Sequence, residues 1–340
     1  MTPESERPAI PSSVEAELDL VAENLRHSQA VILTTHRDAD GDGLGAEAAL
    51  SLALGEMGKD VVVLNDEATP PHYRFLEDGL LFQVYRPRRH DRLIHSATAA
   101  VLLDAADSER AGRISAALNR ATGKRIVIDH HPPRGWSDIE AVDTEATSTT
   151  ELVLRLFDKL RVLITPRMAD ALYTGVVADT DGFRNANSTE RAHALAARLV
   201  SLGARPERVS QALASSSLRR LKLEADFLGR AQAGAGGRLT WGAVDQRMLT
   251  QRRQTPAATE GFADRLLQVE GTQVAVLFLE EPGGVIRISL RSKDPVRVDE
   301  LARSLGGGGH ARAAGARLRG PLASAVRRVR AKARSILSVQ

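Results

Sequence analysis

The stretch Ala30–Ala46, AVILTTHRDADGDGLGA, decides the fold. Its first part, Val31-Ile32-Leu33-Thr34-Thr35, is apolar and β-branched, which predicts a buried strand. Leu44 to Leu52, where the stretch ends and runs on, predicts a helix. Between them stand one imidazole and three carboxylates: His36, Asp38, Asp40 and Asp42. Carboxylates this close repel one another unless cations sit between them. Oxygen ligands with a histidine suit Mn²⁺ or Mg²⁺ better than a soft-ligand metal.

Three other readings of the stretch compete. Asp38 to Gly43 matches the first half of a calcium-binding EF-hand loop, but Ala49 stands where that loop needs its Glu, and a strand precedes it instead of a helix. Gly41 to Ala46 has the glycines of a dinucleotide fingerprint, yet its acidic side chains would face the pyrophosphate they should attract. A plain solvated acidic loop is the third. The rest of the chain repeats the strand-then-ligand pattern, which such a loop does not predict.

Working outward, Ser12 to Glu15 is a capping-box signature, and Val14, Leu18, Val21 and Leu25 follow at helical spacing. Val61 to Leu64 is a second strand. His72 to Arg92 reads as loop with one short strand. Ala99 to Leu103 is a buried strand ending in Asp104, and Ala111 to Arg120 has helical character. Arg125 to Ile128 is another buried strand, ending in Asp129-His130-His131. Helices are expected at 148–160, 166–178 and 189–202, with Asp179-Thr180-Asp181-Gly182-Phe183-Arg184 after the second. Strands alternating with helices imply an α/β fold with a mostly parallel sheet, and ligands collect at the carboxyl ends of such strands.

The 340 residues suffice for two domains. We expect a loose tail at 1–13, a catalytic domain with a mostly parallel sheet and flanking helices at 14–204, a helical linker at 205–235, and a smaller C-terminal α/β domain at 236–340, with a cleft between the domains. In the last, 272–280 and 285–292 read as strands, 298–305 as a helix leading into Gly306-Gly307-Gly308-Gly309-His310, and 323–337 as a basic helix. From Arg205 onward there are 24 basic and 12 acidic residues, against 22 basic and 31 acidic before it. An acidic metal-binding half joined to a basic half suits an anionic substrate. There is no cysteine, which excludes disulfides and thiolate zinc sites. No apolar run is long enough for a membrane span and no signal peptide is present, so a cytoplasmic location is expected.

Together these motifs give the chain a resemblance to the DHH phosphoesterase family, and within it to the NrnA-type stand-alone oligoribonucleases. His36, Asp40, Asp42 and Gly45 meet the spacing of the family's first motif, Asp104 and Arg110 the second, and Asp129-His130-His131 the third. Ser148-Thr149-Thr150-Glu151 meets its Ser/Thr-rich helix start, Asp179-Thr180 with Phe183 its Asp-Thr-Gly-x-Phe motif, and Gly307-Gly308-Gly309-His310 its terminal glycine-histidine motif. Ala39, Ala46 and Asp181 depart from the usual Pro, Ser and Gly without removing an expected ligand. Asp38 is extra and reads as solvated or as an outer partner.

The resemblance implies two Mn²⁺ ions, with Mg²⁺ possible, one held by His36, Asp40 and Asp104 and the other by Asp42, Asp104, His130 and Asp179. Asp104 would bridge them, and a water between the ions would become the nucleophile. His131 would contact the phosphoryl group or protonate the leaving oxygen, with Asp129 orienting a histidine and Arg110 beside the reacting group. Arg184, Arg291, Ser292, the glycines Gly307 to Gly309 and His310 would meet the substrate. The implied substrates are short RNA or DNA oligonucleotides and 3′-phosphoadenosine 5′-phosphate (PAP), with no membrane partner and a homodimer possible. The rivals are an enzyme of the same fold acting on linear products of cyclic dinucleotides or on pyrophosphate, and a non-catalytic nucleotide-binding regulator.

Overall fold

A computed structural model describes residues 13–80, 82–309 and 311–338. The chain divides after Ser215 into two units. In the first, helix α1 (Val14–His27) leads into β1 (Ala30–Thr34), α2 (Gly41–Glu56), β2 (Asp60–Asn65), β3 (Phe82–Val84) and α3 (Pro87–Ser96). Then come β4 (Ala99–Leu103), α4 (Ser115–Leu118), β5 (Lys124–Asp129), β6 (Ile139–Val142), α5 (Thr149–Leu160), α6 (Pro166–Asp179), α7 (Glu190–Ser201) and α8 (Pro206–Ala214). The six strands are all parallel, in the order β3-β2-β1-β4-β5-β6.

The unbroken apolar strands follow from burial on both faces. In β4, Ala99, Val101 and Leu103 pack with α1, α2, α5 and α6, while Ala100 and Leu102 face Ile94 and Leu118 on the other side. Helix α2 is buried along almost its whole first half, because α6 crosses it closely. A side chain at Gly45 would stand 2.5 Å from the Ala171 carbonyl oxygen, and one at Gly175 would stand 2.7 Å from Asp42 Oδ1. Gly45 is therefore needed for the backbone approach of α2 to α6, and Gly175 for the room that the side chains of Thr150 and Asp42 take beside it.

Two segments differ from the expected pattern. The loop read at 72–92 contains a 3-10 turn, Pro71–Leu76, then β3 and the start of α3; its polar, arginine-rich composition hides the helix periodicity. The helix expected at 111–120 is a 3-10 turn broken at Gly112, with φ +77°, and only then α4. Gly112 packs on the carboxylate of Asp66, where a side chain would come within 2.5 Å of Oδ2.

The second unit contains α9 (Leu218–Leu228), β7 (Gln232–Gly234), β8 (Leu239–Val244), α10 (Gln246–Arg252), α11 (Phe262–Leu267), β9 (Val274–Glu281), β10 (Val285–Ser292), α12 (Asp299–Ser304), β11 (Gly308–Gly309), β12 (Ala313–Arg319) and α13 (Leu322–Ser338). Its sheet runs β11-β12-β10-β9-β8-β7, antiparallel except for β8 beside β9. The segment expected as one linker is shared: Val209 of α8 joins the first unit's core, and Leu223 and Phe227 of α9 join the second's. Among the described residues no helix is long and apolar enough to cross a membrane.

Candidate metal centre

The strand order reverses direction between β1 and β4, and open parallel sheets bind ligands at the carboxyl ends flanking such a point. His36 follows β1, Asp104 follows β4, and Asp129-His130-His131 close β5, so three neighbouring strands deliver donors side by side. Asp104 takes a left-handed backbone, φ +55°, which a non-glycine residue adopts at a cost and which aspartate tolerates better than most. Asp40 caps α2: its Oδ1 accepts from the amides of Asp42 at 3.0 Å and Gly43 at 3.4 Å. Asp42, fully inside, accepts from the first amides of α5, Thr149 at 2.6 Å and Thr150 at 3.0 Å. Asp179 ends α6, steadied by Asn187, whose amide donates to its Oδ2 at 2.8 Å.

The six predicted metal ligands converge. His36 Nε2 lies 3.3 Å from Asp104 Oδ2 and 3.9 Å from Asp40 Oδ1. His130 Nε2 lies 3.6 Å from Asp104 Oδ1 and 3.9 Å from both Asp42 Oδ2 and Asp179 Oδ1. His131 donates from Nδ1 to Asp129 Oδ1 at 2.8 Å, with Asp104 Oδ1 at 3.4 Å. Asp129 Oδ2 is buried and has no hydrogen-bond partner among the described residues. Asp104 is common to two donor groups whose atoms lie within 4.8 Å of one another, one with His36 and Asp40, the other with Asp129, His130 and His131.

The cluster balances its charge with protons. Burial alone would lower the pKa of His36, but Asp104 and Asp40 beside it raise it to about 10. His131 is likewise raised to about 10 by Asp104 and Asp129 against burial. Burial works to raise Asp104, yet His131 and His36 outweigh it and hold the carboxyl well below the usual range. Burial and then Asp104 push Asp42 well above the usual range, and burial, Asp104 and Asp40 push Asp179 up to about 7. A divalent cation among these oxygens and ring nitrogens supplies the same positive charge, so the donor set fits one.

A pH dependence of unusual sign follows. In chelator the folded chain keeps protons that the unfolded chain has lost: on Asp179 between its ordinary value of 3.8 and about 7, and on His36 and His131 between 6.5 and about 10. The native state binds more protons, so stability falls as pH rises through these windows. The melting temperature in EDTA is expected to fall from about pH 6 to about pH 9, and in excess Mn²⁺ to rise, because metal takes the deprotonated donors. Thermal melts across that range check it; a rising curve in EDTA refutes the proton-held cluster.

The remaining predicted residues are placed variously. The exposed Arg110 lends its carbonyl to the amide of Arg37 at 2.8 Å, and the guanidinium of Arg37, which the sequence reading passed over, is exposed as well. Arg184 turns into its own loop and pairs with Asp181 at 2.8 Å. In the second unit Arg291 pairs with Asp264 at 2.8 Å, and the buried Ser292 hydroxyl donates to the Val296 carbonyl at 2.6 Å. Gly308 and Gly309 form β11 against β12, and a side chain at Gly307 would lie 2.0 Å from the Gly315 carbonyl oxygen. Gly307 and Gly309 therefore serve close strand approach, whereas a side chain at Gly308 would meet nothing within 4 Å. His310 lies outside the described residues, as does most of the tail expected at 1–13. The sequence reading also missed Glu47, Asn65 and Asn187. Only Glu47 carried a signal, as the one charged residue in the helix stretch from Leu44 to Leu54.

Strand-end histidines and carboxylates at a switch point, with a second mixed-sheet unit, define a two-domain phosphoesterase. The chain belongs to the DHH family and is a metal-dependent hydrolase: the DHH family, N-terminal domain, matches residues 30–176, and the DHHA1 domain matches residues 245–338. The bifunctional oligoribonuclease and PAP phosphatase NrnA of Thermus thermophilus is 30% identical over 305 residues, covering 88% of either chain. The protein of that name in Bacillus subtilis is 26% identical over 290 residues, 84% of this chain and 88% of the other. The crystal structure of an exopolyphosphatase-related protein from Bacteroides fragilis shares the fold at a TM-score of 0.86 and 23% identity, covering 95% of this chain and 98% of that one.

Proposed function

We propose that this protein is a metal-dependent phosphodiesterase that cuts short RNA or DNA oligonucleotides to mononucleotides, and that it also removes the 3′-phosphate of PAP. One observation carries the reading. The two oxygens of Asp104 face opposite ways, Oδ2 to His36 at 3.3 Å and Oδ1 to His130 at 3.6 Å, so one carboxylate joins two donor groups. The names of the relatives supply the substrate classes.

In this reading His36, Asp40 and Asp104 hold one ion, and Asp42, Asp104, His130 and Asp179 the other, with Mn²⁺ the preferred metal and Mg²⁺ suited to the same oxygen-rich set. Bound there, such a pair stabilises charge on the phosphoryl oxygens and lowers the pKa of water. The chain's own residues do the rest. The amides of Thr149 and Thr150 fix Asp42, and Asn187 fixes Asp179. Asp129 fixes the tautomer and orientation of His131, which passes a proton to the leaving oxygen. Arg37, past the end of β1, and Arg110, in the turn after β4, are exposed and meet substrate phosphate, and Arg184 steadies the Asp181 loop. Arg291, Gly307 to Gly309 and His310 receive the nucleotide, while Ser292 shapes the turn under it.

His310→Ala is expected to raise KM about tenfold with little change in kcat, because His310 serves the substrate and not the metals. Steady-state kinetics on a dinucleotide checks this, and a fall in kcat at unchanged KM would reassign it. The test of the whole reading is hydrolysis of 5′- and 3′-labelled RNA and DNA of two to five nucleotides, and of PAP, with Mn²⁺. Mononucleotides and released phosphate are expected; no hydrolysis of any of them refutes it.

A further inference from the structure

Beneath the metal centre lies a buried pair with no part in the chemistry described so far. Glu47, on α2, has no exposed surface. Its Oε2 accepts from Asn65 Nδ2 at 2.8 Å, and its Oε1 is buried with no hydrogen-bond partner among the described residues. Asn65 ends β2 and is itself buried. With Nδ2 committed to Glu47, Asn65 Oδ1 must face β1, where it accepts from the amide of Thr35 at 3.3 Å and the hydroxyl of Thr34 at 3.5 Å. Thr35 lies one residue past the end of β1 and immediately before His36. On the far side of His36, the amide of Arg37 donates to the Arg110 carbonyl at 2.8 Å.

The backbone of His36 is thus clamped on both sides, and one clamp depends on which way an amide points. An asparagine side chain flips unless its nitrogen is tied to an acceptor, and flipping would put a donor against the Thr35 N–H. A carboxyl fully buried on a core helix, with one oxygen bonded only to an amide and the other to nothing among the described residues, is costly unless something retains it. We propose that Glu47 is a positioning residue: through Asn65 it locks the backbone of Thr35 and so aims the imidazole of His36 at the metal centre. This rests on the reading of His36 as a metal ligand.

The test is Mn²⁺ binding, followed by the paramagnetic resonance of the free ion, in single and double variants. Glu47→Leu should fold with some loss of stability, since it removes a costly buried carboxyl but leaves the Asn65 Nδ2 without its acceptor. It is expected to weaken binding at the His36-dependent ion about 10–100-fold, the range for residues that orient a ligand. Glu47→Gln keeps an acceptor for Asn65 Nδ2 and is expected to bind Mn²⁺ within about threefold of the parent, the spread normal for a retained interaction. In a His36→Ala background, itself weakened, Glu47→Leu is expected to add less than about threefold. Full additivity there, or a Gln variant as weak as the Leu one, overturns the proposal while leaving His36 a ligand. Unchanged binding in His36→Ala overturns both. If Glu47→Leu fails to fold, Asn65→Leu replaces it in the same cycle, with the same loss expected and the same additivity overturning.

Discussion

Asp104→Asn is expected to lower kcat/KM at least about 10³-fold while the chain still folds, because the carboxylate joins both halves of the metal centre and metal charge stabilisation is worth several kcal/mol. Asparagine is the instructive replacement. It is nearly isosteric and tolerates the left-handed backbone, φ +55°, that alanine would strain. It removes the charge that holds protons on His36 and His131 and that pushes Asp42 and Asp179 upward. The metal-free variant is expected to melt below the parent at neutral pH, since the lowered pKa of Asp104 means that its charge, held by His36, His130 and His131, favours the fold. With metal the gap widens, because the parent gains binding energy that the variant cannot. Melts with and without Mn²⁺, metal content per chain and kcat/KM on a dinucleotide together check this. Two ions are expected per active parent chain; one or none in active protein would refute the bridged pair, as would an Asn variant retaining a tenth of the parental kcat/KM.

Substrate length has the second large expected effect. Oligonucleotides of two to five residues are expected to be cut with kcat/KM about tenfold or more above chains of about twenty, because the features that hold long single strands are missing from the described surface. Such strands are held by stacking successive bases on aromatic faces, each worth about 1–3 kcal/mol. Aromatic residues make up 4% of this chain, and those of the second unit are occupied. Phe227, Phe262 and Phe278 are core residues, and Trp241 is buried with Arg330 stacked 3.8 Å from its ring centre. What remains to hold a nucleotide is charge and backbone, which suits one or two phosphates. The comparison is kcat/KM over a length series at one fixed salt concentration, since phosphate contacts are screened by salt. A rate that is flat or climbs with length would refute the short-substrate reading.

Sequence alone carried much of the first unit. The strand ends at His36, Asp104 and Asp129 to His131 were legible because a parallel strand buried on both faces reads as an unbroken apolar run, and polar residues directly after it must lie at its carboxyl end. His36, Asp104 and His130 stood out as candidates for the same reason, whereas Asp40, Asp42 and Asp179, at helix ends, entered through the spacing of the family's motifs. Where strand or helix residues are polar, the signal failed: α3 begins Pro87-Arg88-Arg89-His90, and periodicity cannot be seen where few residues are apolar. The break at Gly112 depends on a contact with Asp66, 46 positions earlier, which no local rule contains.

Partnership was decided only by the tertiary structure. No local pattern joins Glu47 to Asn65, or seats Asp42 on the first amides of α5 more than a hundred residues on. Nor does any local pattern seat Arg205 on the Asp170 carboxylate, 35 residues earlier, at 2.7 Å from its backbone amide. The physical reason is the same in each case. Chemical type and strand register are local properties of the chain, whereas the partner that satisfies a buried polar group is set by which distant backbone the packing of the core brings within hydrogen-bond reach.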